Sequence, residues 1–113
     1  MKIKPGAHTA GFEFPIVFAA GVVQAVFSGY GQDVILTSGT DSHLNRPTSL
    51  HNKGLAADFR TRHIVPATLT LIVDELTKLL DPLGFDVILE TTPPHLHVEY
   101  QPKAGESWIR EDA

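Results

Sequence analysis

The chain has 113 residues, no cysteine and a net charge of -4. That length fits a single domain spanning residues 1–113, large enough to bury roughly 65% of its unfolded surface. Without cysteine, neither disulfides nor thiolate metal ligands are available, so any metal must sit on His, Asp or Glu. The acidic balance and the lack of a Lys/Arg run exclude the electrostatic footprint of a nucleic-acid binder.

Residues 1–13 read as an extended or looped lead-in, and Pro15 suits the first turn of a helix running to about Ser28, stopped by Gly29, Tyr30 and Gly31. This helix is apolar nearly all round, with Gln24 and Ser28 its polar stripe, which predicts a central, buried scaffold element. Lys2 and Lys4 ahead of the apolar run superficially resemble a signal peptide. His8, Glu13 and Gln24 interrupt that pattern, and no small-x-small cleavage site follows. The run is also too short for a bilayer, which needs about 20 apolar residues.

Residues 33–37 are rich in β-branched side chains and suit a strand, residues 38–48 a long loop, and residues 54–60 a second strand with Ala56 and Asp58 on one face. From Pro66 to about Leu80, apolar residues recur at helical spacing, and Asp81, Pro82 and Gly84 end the helix. Residues 85–90 and 95–100 form the strands of an antiparallel hairpin, joined by a link stiffened by Pro93 and Pro94. The tail from Pro102 is polar apart from Trp108 and Ile109, which either dock on the domain or stay mobile. The fold class is α+β, a small antiparallel sheet with two main helices packed on one side.

Chemistry concentrates in two segments. His95 and His97 are two apart on a strand, so both imidazoles leave the same face while Leu96 and Val98 point to the core. A His-x-His pair alone is more often polar surface than ligand. Here it has company, because His51 and Asp58 flank a turn into a strand, with Gly54 supplying backbone freedom that other residues resist. Imidazole and carboxylate are ligands that Zn²⁺ takes, and a three-ligand shell leaves a fourth position for reactive water.

Ser49-x-His51-x-x-Gly54-x-Ala56-x-Asp58 followed by His95-x-His97 resembles the signature of the zinc D-Ala-D-Ala carboxypeptidase and L-alanyl-D-glutamate endopeptidase family, peptidase family M15, which has the hedgehog/DD-peptidase fold. Flanking Leu36-Thr37-Ser38-Gly39, Asp58-Phe59-Arg60-Thr61-Arg62 and Val87-Ile88-Leu89-Glu90 are similar to small phage and prophage members. The resemblance covers residues 33 to 103. It implies that His51, Asp58 and His97 are zinc ligands, that His95 lies beside the metal to hydrogen-bond the substrate carbonyl, and that Ser49 holds its neighbours in position. It also implies hydrolysis of an amide bond in a peptidoglycan stem peptide, with a role in phage lysis. Such a protein would be made in the cytoplasm and act at the cell wall or in the virion, which without a convincing signal peptide calls for membrane permeabilisation by another factor.

The sequence departs from the family pattern at the catalytic acid, because Pro94 occupies the position three residues before the last ligand. Glu90 is the preferred substitute as general base, folding back from the end of its strand; its plain alternative is a solvated strand-end glutamate. Glu99 shares a strand face with His95 and His97 and is the other acid of the hairpin, suited to a supporting role beside His97. Arg46 is a candidate clamp for a substrate carboxylate. Arg60 and Arg62 read as surface or ion-pair residues, His43 and Asp41 as loop residues bordering the site, and His8 and His63 as ordinary surface histidines. A second function is compatible with Pro94: a catalytically weak or inactive zinc-binding module that attaches to the cell wall or belongs to a virion.

Overall fold

A computed structural model describes residues 1–40 and 49–102. Arg46, Asp41, His43, Trp108 and Ile109 therefore lie outside the described residues. In chain order the elements are β1 (Lys2–Ile3), α1 (Phe14–Gly29), β2 (Ile35–Ser38), β3 (Ala56–Arg60), α2 (Pro66–Leu80), a 3-10 turn (Asp81–Leu83), β4 (Phe85–Thr91) and β5 (Pro94–Tyr100). The five strands form one sheet in the order β1-β2-β3-β5-β4.

The sheet is mixed rather than wholly antiparallel, because β1 joins β2 in parallel. Its two residues are too few and too exposed to show a hydrophobic period. They are held by main-chain bonds, from Lys2 N–H to the Val34 carbonyl at 2.8 Å and from Lys4 N–H to the Leu36 carbonyl at 2.9 Å. The other ladders are antiparallel, and the β4–β5 hairpin closes more tightly than the sequence suggests. Thr91 and Pro94 pair across it, leaving Thr92 and Pro93, joined by a cis peptide bond, as the turn.

One sheet face carries the core. Phe59, Leu96 and Val98 are fully buried with Ile16, Val23 and Phe27 of α1 and Ile72, Leu76 and Leu80 of α2. Period-two alternation puts Leu96 and Val98 on that face, so His95 and His97 leave from the other. Burial of these side chains, each contributing about 1.5–3 kcal/mol, dominates the stability of the domain.

α1 is not buried all round. Ile16, Ala19, Val23 and Phe27 face the core, whereas Phe14 and Val17 are 62% and 56% exposed. A two-helix layer on one side of a sheet covers only one stripe of each helix, and the apolar outer stripe of α1 has no third helix against it among the described residues. No helix among the described residues is long and apolar enough to cross a membrane.

Candidate metal centre

The register of the ladders builds the site on the face opposite the helices. Ser38, Asp58, His97 and Ile88 lie in one row across β2, β3, β5 and β4. The next row holds Arg60, His95 and Glu90, and the row on the other side holds Ala56, Glu99 and Asp86. Residues far apart in sequence thus meet because they share a face and a rung.

His51 arrives from a tight turn. Its N–H donates to Ser49 Oγ at 3.2 Å, Gly54 N–H donates to the His51 carbonyl at 3.1 Å, and Leu55 N–H to the Leu50 carbonyl at 2.9 Å. Gly54 has φ of 73°, and a Cβ there would stand 2.0 Å from the Gly11 carbonyl oxygen. This glycine is required twice over, by its left-handed backbone and by the close approach of the N-terminal loop. That loop is fastened in place by the bond from Glu13 N–H to the Gly54 carbonyl, 3.0 Å.

Hydrogen bonds orient the rings. His51 Nδ1 lies 3.1 Å from the Gly39 carbonyl, which can only accept, so Nδ1 carries a hydrogen and Nε2 is the nitrogen turned toward Asp58. Nε2 is 3.4 Å from Asp58 Oδ2. His97 Nδ1 is 2.8 Å from Asp58 Oδ1, and its Nε2 is 2.7 Å from Glu99 Oε1. Facing an acceptor with each nitrogen, His97 is held as the imidazolium. Burial works against that charge, but hydrogen bonds and charge from Asp58 and Glu99 outweigh it and push the ring up to about 9. Burial likewise opposes ionisation of Asp58, yet hydrogen bonds from His51 and His97 hold its carboxyl far below the usual carboxylate range.

One ligand atom from each of His51, Asp58 and His97 lies within 4.8 Å of the others, and the group is buried to half-buried. This group could hold a metal ion. Zinc bonds of about 2.0–2.2 Å in tetrahedral geometry set ligands about 3.3 Å apart, close to the 3.4 Å between His51 Nε2 and Asp58 Oδ2. In His97 the Nδ1 faces Asp58, while Nε2–H is held by Glu99 as a metal-ligating imidazole is commonly held by a carboxylate.

The group opens into a cleft of about 600 Å³, also lined by Ser49, Glu90, Pro94, His95 and Glu99. Glu90 Oε1 and His95 Nε2 are 2.6 Å apart, and His95 Nδ1 is 2.7 Å from the Pro93 carbonyl. That carbonyl requires a hydrogen on Nδ1, so the pair shares one further proton between His95 Nε2 and Glu90 Oε1. Pro94 and Glu90 both line the cleft, Glu90 from the strand beside that of His95. His63 Nε2 contacts the Asp33 carbonyl at 3.0 Å, away from this cleft.

Sequence reasoning undervalued Lys4, Arg60 and Arg62, which line the same cleft. The signal for Arg60 was available, since the alternation that gives Ala56 and Asp58 one face extends to it. Lys4 had none, its position depending on the parallel pairing of β1. Together the fold and site define an α+β domain presenting a buried His-Asp-His group at the floor of an open, polar cleft. Compared with protein-family models, curated proteins and solved structures, the chain matches none.

Proposed function

We propose that the chain is a zinc-dependent metallopeptidase of the hedgehog/DD-peptidase fold that hydrolyses an amide bond in bacterial cell-wall peptides, as a D-Ala-D-Ala carboxypeptidase or an L-alanyl-D-glutamate endopeptidase. The observation that carries this reading is the meeting, in one cleft, of a nitrogen-oxygen-nitrogen donor group with a separate carboxylate–imidazole pair. A purely structural histidine cluster has no need of the second pair. Bound zinc would supply Lewis acidity and an acidified water.

The residues of the chain take the remaining tasks. His51, Asp58 and His97 hold the ion, and Glu99 and the Gly39 carbonyl fix the two rings. Glu90 accepts a proton from the attacking water at Oε1 and returns it to the leaving amine nitrogen, ending as the carboxylate it began. His95, oriented by the Pro93 carbonyl, donates from Nε2 to the substrate carbonyl oxygen once Glu90 has turned to the water. Ser49 keeps the His51 turn closed.

The reading is tested by metal analysis of the purified protein and by digestion of peptidoglycan stem peptides. One zinc per chain and release of D-alanine or cleavage after L-alanine are expected; no metal uptake on titration would overturn it. A second reading draws on Pro94: a zinc-binding attachment module of cell wall or virion, in which Glu90 never leaves His95. It requires zinc binding and peptidoglycan retention without turnover.

A further inference from the structure

The helical side of the domain carries an apolar groove between α1 and α2. It holds about 650 Å³, and its lining includes Val17, Phe18, Val22 and Ala25 of α1 with Glu75 and Leu79 of α2. Val17 and Leu79 are 56% and 48% exposed. α1 has no charged residue along its length, and Glu75 is the one charge lining the groove among the described residues. Contiguous apolar surface of this kind marks a place where something docks.

The chain leaves the domain beside one end of this groove. Gln101 N–H donates to the Gly84 carbonyl at 2.9 Å, and Pro102 is packed so closely on Gly84 that a Cβ there would stand 2.9 Å from the Pro102 Cβ. The Tyr100 ring packs on Phe85 with centroids 5.0 Å apart, and Phe85 stacks on Phe18 at 6.4 Å. Phe18 thus lies two ring spacings from the end of β5. At the far end Tyr30 Oη donates to Glu75 at 3.1 Å, one helical turn before Leu79, so the groove runs from Phe18 and Leu79 back toward Ala25 and Glu75. Seven residues of α1 from Phe18 to Ala25 give it a length of about 10 Å.

We propose that residues 103–113 fold back over the helices and seat Trp108 and Ile109 in this groove. These adjacent side chains are the only large apolar ones in that segment, and Arg110, which follows them, has the charge opposite to Glu75. Six residues from Pro102 to Trp108 reach about 20 Å when extended, enough to enter at Phe18 and run the groove. A tethered occupant acts at an effective concentration on the order of millimolar, which a second copy at micromolar concentration does not match. The cleft opens on the other face of the sheet, so the proposal is independent of the peptidase reading and leaves the metal-binding group clear.

Trp108 is the only tryptophan of the chain, so its fluorescence reports on this contact directly. In the full chain at micromolar concentration its emission should be blue-shifted from that of N-acetyltryptophanamide and several times less quenched by acrylamide. Val17→Glu and Leu79→Glu, both at exposed positions, should each return emission and quenching to the values of the urea-unfolded chain, while circular dichroism shows the helices and the melting transition retained. Val65→Glu, exposed but outside the groove, should leave Trp108 as in the wild type. Quenching of the wild type equal to that of N-acetyltryptophanamide would overturn the proposal, and so would a protected Trp108 that ignores both groove variants. Protection that fades on dilution, together with a halving of the mass in sedimentation, would also overturn it and assign the groove to a second copy.

Discussion

His97 and Asp58 face each other across β5 and β3, Nδ1 to Oδ1 at 2.8 Å, and so a proton sits where a metal would bind. Metal and proton compete for one nitrogen. The ring's folded value of about 9 lies above the 6.5 of a free imidazole, so in chelator-treated protein the charged ring stabilises the fold fully below about 6.5. That contribution is lost as the pH rises through about 9. Asp58 acts at the other end, its contribution being present above the ordinary value of 3.8 and lost as the pH falls through its depressed folded value. Melting temperature without metal should therefore fall by roughly 5–15 °C between pH 6 and pH 9.5. With zinc in excess that decline should shrink, and calorimetry at pH 7.5 in buffers of different ionisation enthalpy should register close to one proton released per ion. No proton release would place the ion elsewhere.

Asp58 is the hinge of the group, accepting from both imidazoles. Asp58→Ala should abolish zinc retention and lower the melting temperature in zinc-containing buffer, because a ligand that binds only the folded state stabilises it by mass action. Chelator should destabilise the wild type and leave the variant unmoved. Equal melting temperatures of the wild type with and without chelator would break the link between this group and metal.

The parts of the fold that follow from periodicity were legible in the sequence. Pro66–Leu80 was readable to its ends, because the apolar spacing and the flanking prolines agree. The shared face of His95 and His97 follows from alternation alone. What alternation cannot supply is partner and register. That Glu90 sits on the rung of His95 depends on a two-residue turn at Thr92 and Pro93, where the sequence suggests a longer link. The parallel addition of β1 depends on main-chain bonds that leave no side-chain pattern, and it is β1 that brings Lys4 to the cleft. The outer stripe of α1 was misread as buried because composition tells how apolar a helix is and not how many neighbours it has.

Glu90 and His95, 2.6 Å apart, are poised for proton transfer. Glu90→Gln should lower kcat on a stem peptide by about 10²–10⁴-fold, the usual contribution of a positioned acid–base group, with zinc content unchanged because Glu90 is not a member of the metal-binding group. Loss of zinc along with activity would recast Glu90 as a ligand support, and unchanged turnover would move the base elsewhere.

Gly54 and Gly21 make a controlled pair. An alanine at Gly54 would need φ of 73° and would press its Cβ to 2.0 Å from the Gly11 carbonyl oxygen. Gly54→Ala should cost more than about 2 kcal/mol and weaken zinc binding through the displaced His51 turn. Gly21 lies within α1 with open space around its missing Cβ. Gly21→Ala should be neutral or stabilise by about 0.5–1 kcal/mol. Denaturant titration of both variants checks the contrast.

Glu99 and Glu90 differ in the imidazole they serve, and that difference separates their roles experimentally. Glu99 accepts from His97 Nε2 at 2.7 Å, on the side of the ring away from Asp58, so its negative charge acts on Nδ1 only through the imidazole. A glutamine there still accepts a hydrogen bond but makes His97 a poorer donor to a metal. Zinc affinity should fall about 10–100-fold, the usual effect of losing such a partner. Saturating zinc should then restore kcat to near its original value, since no proton is moved by Glu99 in this reading. Were Glu99 the base, Glu99→Gln would remain inactive at any zinc concentration, and a zinc titration of its turnover decides between the two.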